Sequence, residues 1–87
     1  MNDIKIIYNL EWYDNIPDEN GENLLVGERI ITDFFTENEL KVFLGLTEKP
    51  CAMYELSRDQ CDYLEQLLGM TLPEKYPYSI GVYGDYT

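Results

Sequence analysis

Carboxylates are the side chains in this sequence whose spacing bears on chemistry. Asp59, Asp62 and Glu65 recur every third residue, which on a helix lines them along one side. That side is about opposite an apolar stripe of Cys61, Leu64 and Leu68. Like charges so placed cost a few tenths of a kcal/mol per pair on an isolated helix. No lysine is interleaved to relieve them, so the row reads as one presented to a partner. At a rise of about 1.5 Å per residue the three lie about 4.5 Å apart. Successive charges of a single nucleic-acid strand lie about 3.4 Å apart along its axis. A second group fills the interval between Lys5 and Arg29, where Glu11, Asp14, Asp18, Glu19, Glu22 and Glu28 occur without a base. The chemistry on offer is electrostatic: carboxylates standing in for phosphates before a basic protein groove. The plainer reading is a solvated acidic surface.

Tyrosines form the other conspicuous set. Tyr76, Tyr78, Tyr83 and Tyr86 crowd the end of the sequence. Exposed beside carboxylates, they would anchor an arginine-rich partner through cation–π contacts and hydrogen bonds. Their plainer role is the packing of a terminal strand. Other chemistries find little support. Asp18-Glu19-Asn20-Gly21 resembles part of a calcium loop, but Ile16 and Gly27 stand where the first and last ligands belong. The sequence has no histidine, hence no Ser–His or Cys–His pair. It has no glycine-rich phosphate loop, and the spacing of Cys51 and Cys61 fits no zinc finger. Paired carboxylates could do acid–base work, yet 87 residues leave little room for a cleft beside a core. The expectation is a protein that is not an enzyme and needs no metal or cofactor.

Composition agrees. Seventeen acidic and six basic side chains give a formal net charge of -11, beyond the magnitude of roughly 2–8 that solubility asks of a small domain. Such a field attracts basic surfaces and repels phosphates, so a basic protein partner is expected and direct nucleic-acid binding is not. A hydrophobic share of 45% with 14% aromatics argues for folding rather than acidic disorder. The length allows one domain, residues 1–87, with no second core. No apolar run is long enough to cross a membrane, no signal-peptide pattern opens the sequence, and an acidic surface suits anionic lipid poorly. Cys51 and Cys61 make no disulfide framework. These features point to two reduced, partly buried thiols in a cytoplasmic protein.

The elements that must position these side chains follow from periodicity. Residues 3–13 alternate, with Ile4, Ile6, Tyr8, Leu10 and Trp12 on one face, as in a half-buried strand. Residues 14–23 are turn formers around Asn20-Gly21, and 24–33 return as a second strand in which Gly27 marks a bulge or bend. Thr36-Glu37-Asn38-Glu39 and Ser57-Arg58-Asp59-Gln60 have the form of capping boxes. They predict helices over 37–45 and 58–68, with Gly69 as a left-handed stop. Residues 51–56 read as a short strand or an extended connector, and 78–83 as a third strand or an irregular tail. The predicted fold class is α+β: a small antiparallel sheet of two to three strands packed against two short helices.

In size and charge the sequence resembles two groups of proteins. One comprises the small acidic inhibitors carried by phages and mobile elements, including anti-CRISPR and antirestriction proteins. The other is the immunity proteins that neutralise nuclease toxins. Lys75-Tyr76-Pro77-Tyr78 resembles the Tyr-Tyr-Pro segment of the colicin DNase immunity proteins, which are four-helix domains, whereas residues 3–13 here read as a strand. The resemblance implies an inhibitor acting in the cytoplasm of a bacterial or phage-infected cell, occupying the basic groove of a nucleic-acid-processing protein as a nucleic-acid mimic. The alternatives are an immunity protein against a cationic nuclease toxin and a non-inhibitory adaptor docking through its tyrosine tail.

Overall fold

The alternating segment at the start of the sequence becomes β1 (Ile4–Tyr13), one of the two inner strands of a sheet in the computed structural model, which describes residues 4–16 and 19–86. The other elements are β2 (Leu25–Ile30), a 3-10 turn (Thr32–Phe34), α1 (Glu37–Leu44), β3 (Met53–Glu55), α2 (Arg58–Leu68) and β4 (Tyr78–Tyr86). The sheet order is β2-β1-β4-β3, with every neighbouring pair antiparallel. The α+β class stands, but the sheet has four strands where two to three were expected. Residues 53–55 supply the extra one: of the two readings left open for 51–56, a short strand or an extended connector, the strand forms, paired with β4. The second strand is shorter than the expected 24–33 because Thr32–Phe34 turns away as 3-10 helix.

Both helices are delimited by their own residues. The Thr36 hydroxyl accepts from the Glu39 amide at 3.1 Å while the Glu39 carboxylate accepts from the Thr36 amide at 3.0 Å. Ser57 and Gln60 repeat the exchange at α2. Gly45 and Gly69 end the helices at φ 69 and 66, a conformation that costs a residue with a Cβ.

The pleat separates the sheet into two unlike faces. Tyr8, Leu10, Tyr78 and Ile80 point to the helices, where Leu40, Cys61, Leu64 and Leu68 close the core. Leu10, Leu40, Leu64 and Ile80 are fully buried, each contributing about 1.5–3 kcal/mol. The opposite face has no helix over it among the described residues, and it carries the odd-numbered side chains of β1.

Candidate functional site

Strand register brings carboxylates together on that open face. Glu28 of β2 stands opposite Glu11 of β1, Glu11 opposite Ser79 of β4, and Ser79 opposite Glu55 of β3. One row therefore crosses all four strands, with about 4.8 Å between neighbours. Glu28 and Glu55 are exposed at its ends, and Glu11 in the middle is only 5% exposed. Like charges directly opposite each other in a sheet repel, and among the described residues no base answers Glu28 and Glu11. Lys5 lies at the far end of β1, while Arg29 points to the helix side, donating to the Leu68 carbonyl and lying 5.6 Å over Phe34.

Neutral donors hold the buried carboxylate in place of a base. Glu11 Oε2 accepts from the Tyr83 hydroxyl at 2.7 Å and from Asn9 Nδ2 at 3.0 Å; its Oε1 accepts from the Tyr13 hydroxyl at 3.4 Å. The same Asn9 amide reaches Glu28 at 3.2 Å. Facing two carboxylates fixes the amide, and it leaves Asn9 Oδ1 buried without a hydrogen-bond partner, which costs about 1–3 kcal/mol. Tyr83 reaches Glu11 by lying across Gly81, where a Cβ would come within 2.6 Å of its hydroxyl.

The hydrogen bond to Glu11, then burial, push Tyr83 from an ordinary 10.0 up to about 12; burial does the same to Tyr78. Burial first, then Glu11, also raises Tyr13. Above pH 10 an unfolded chain gives up these phenolic protons while the folded one keeps them to about 12. Folding stability should therefore fall as pH rises from about 10 to about 12. In an alkaline titration, tyrosinate absorbance from these two residues should appear together with loss of circular dichroism; early ionisation of all tyrosines in a folded protein would contradict this account.

The residues expected to form the site are distributed unevenly. Asp14 is half-buried and shapes the β1–β2 loop, its carboxylate accepting from the Ile16 amide at 3.1 Å. Glu19 and Glu22 are exposed on that loop. Asp18 lies outside the described residues. Asp59 is exposed at the start of α2. The row expected on α2 does not survive: Arg58 binds Asp62 at 2.9 Å and Glu65 at 2.7 Å, and approaches Glu74 at 3.9 Å. Glu65 flanks the apolar stripe rather than opposing it, and its second oxygen accepts from the Leu72 amide at 3.0 Å. It ties down the segment after α2.

The tyrosine cluster divides as well. Tyr78 is 4% exposed, packed 5.9 Å from Trp12 and donating to the Pro73 carbonyl. Tyr76 is half-buried under Lys75, and Tyr83 joins the Glu11 cluster. Tyr86 pairs through its backbone with Ile4. Tyr78 is therefore not the exposed anchor that the docking reading requires, whereas Tyr83 is 43% exposed. Cys61 is buried in the core and Cys51 is exposed, both as free thiols; the expectation that both are partly buried does not hold.

On the helix side, Phe34, Phe35, Val42, Phe43, Tyr63 and Leu67 line an open groove of about 450 Å³ with Glu39 at its edge. No group of acidic or cysteine side chains fit to hold a metal ion occurs among the described residues. Comparison with protein-family models, with curated proteins and with solved structures finds no match for this chain.

Proposed function

We propose that this protein is a stoichiometric inhibitor whose acidic sheet face and β1–β2 loop occupy the basic, nucleic-acid-binding surface of a nucleic-acid-processing protein. The row Glu28, Glu11, Ser79, Glu55 supports this reading: it sets Glu28 beside Glu11, with no base and no helix over that face among the described residues. The ion pairs formed by Lys49 with Glu37 and by Arg58 with its three carboxylates lie away from that face. At about 4.8 Å, the Glu28-to-Glu11 step is of the same order as the roughly 3.4 Å between charges of a nucleic-acid strand, though longer. Lys/Arg-lined channels such as those of RNA-guided nucleases are targets of the right chemistry. A nuclease toxin would present the same chemistry, and a toxin gene beside this one would mark that variant of the reading.

Capture from a lysate with mass-spectrometric identification names the partner, and competition decides the mechanism. Single-stranded or duplex nucleic acid should displace the protein from its partner. Affinity should also fall at least tenfold as salt rises from about 50 to 200 mM, as exposed charge pairs are screened. A stable ternary complex with nucleic acid, or an affinity indifferent to salt, would overturn the proposal.

A further inference from the structure

The outer side of β2 is an open sheet edge, and hydrogen-bond alternation shows which groups it offers. The Ile31 amide donates to the Tyr8 carbonyl at 2.8 Å, and Arg29 and Gly27 stand opposite Leu10 and Trp12. Residues facing β1 alternate with residues facing away. The amides and carbonyls of Glu28 and Ile30 therefore point out of the sheet. Toward the loop the ladder slips: β2 takes two steps from Gly27 to Leu25 where β1 takes one, so a bulge at Val26 closes that end of the edge. What remains open is the short run 27–30, with Glu28 and Ile30 on the open face, Arg29 turned to the helix side, and Ile30 64% exposed. Neither lysine nor proline blocks it, although such residues commonly protect edges.

Glu28 decides what can add there. It is the edge member of the acidic row, so a strand laid against β2 sets one residue beside Glu28 and extends the row. A second copy paired about a two-fold axis through Glu28 would place Glu28 against its own counterpart and join two rows, between chains each of net charge -11. Such a row repels. A basic residue at that position instead neutralises a charge that nothing in the sheet neutralises; in antiparallel pairing it also exchanges main-chain bonds with Glu28, and the residue two places along does so with Ile30. We infer that β2 receives an extended, basic segment of the partner as a fifth strand, with an arginine or lysine seated beside Glu28. Main-chain bonds supply affinity and the charge supplies selection, as in other strand-addition complexes. This inference rests on the inhibitor reading for the partner's charge, but it specifies the mode of engagement independently.

The test uses the whole protein and an eight-residue peptide alternating arginine with threonine, with its glutamate–threonine counterpart as control. At low salt the arginine peptide should slow hydrogen exchange of the Glu28 and Ile30 amides at least tenfold, and the control should leave them unchanged. Ile30→Pro removes an outward N–H and spares the β1 ladder, so it should weaken peptide binding at least tenfold while thermal melting reports a folded protein. If that variant fails to fold, N-methylating alternate residues of the peptide removes the partner's donors and leaves the protein untouched; binding should fall by a similar factor. Salt-sensitive peptide binding with unprotected Glu28 and Ile30 amides would overturn strand addition and leave the acidic-surface reading standing. No binding of the arginine peptide at low salt would remove both. Concentration-dependent protection without peptide would make a second copy the occupant and overturn the inference.

Discussion

Gly27→Ala is expected to destabilise the fold by about 1–3 kcal/mol, lowering the melting temperature by roughly 4–8 °C for each kcal/mol. The reason lies in Trp12, which crosses the backbone of β2 at this point. A Cβ on Gly27 would overlap Trp12 Cζ2 and lie 2.5 Å from Cε2 and 2.8 Å from Nε1. The indole cannot swing aside freely, because its other side packs on Tyr78. Gly81 is an informative contrast. Alanine there meets the far end of the more exposed Tyr83, which can rotate outward only by giving up its hydrogen bond to the buried Glu11, so the cost comes from that lost bond rather than from a backbone clash. A domain of this size has a total stability of order 5–10 kcal/mol, so the Gly27 substitution removes a sizeable part. Calorimetry on the two variants compares them directly. A melting temperature for Gly27→Ala within a degree or so of the parent would mean that Trp12 does not hold the position described.

Glu28→Lys should have two effects of opposite kind. Within the protein it replaces a repulsive cross-strand pair with an attractive one, since lysine would face Glu11. Opposite-charge pairs across strands contribute about 0.2–1 kcal/mol, so the variant should melt higher. Toward a cationic partner it reverses the edge member of the acidic row, and affinity should fall tenfold or more, about 1.4 kcal/mol. Greater stability with weaker binding is the signature of a residue kept for its partner at a cost to the fold. A variant that is more stable and binds unchanged would take the row out of the interface. A less stable variant would show that the Asn9 bond to Glu28 outweighs the repulsion.

Features with a local cause were legible in the sequence. Both capping boxes form with the residues named, and both helices stop at their glycines, because caps depend on neighbours three residues away. The β1 alternation was equally plain. Register was not legible, and the site is a product of register. Alternation placed Glu11 on the open face of β1 but could not show β2 and β4 on either side, with Tyr83 leaning over from 72 residues away. A solvated carboxylate was expected and a buried one is found. The spacing of Asp59, Asp62 and Glu65 was read correctly as periodic, yet Arg58, four residues before Asp62, was ideally placed to neutralise it. Glu55 gave no signal, because it joins the row only through the ladder between β3 and β4.

The same sheet order dictates when the molecule can come together. β4, the last element, lies between β1 and β3, so neither the longest ladder nor the β3 pairing can exist until it arrives. Until β4 pairs, the apolar side of β1 has β2 beside it and the helices to cover it, but lacks Tyr78 and Ile80, which complete the core. Such long-range closure is slow compared with helix formation. Newly made chains should therefore depend on protection from premature association, to which their net charge of -11 would contribute.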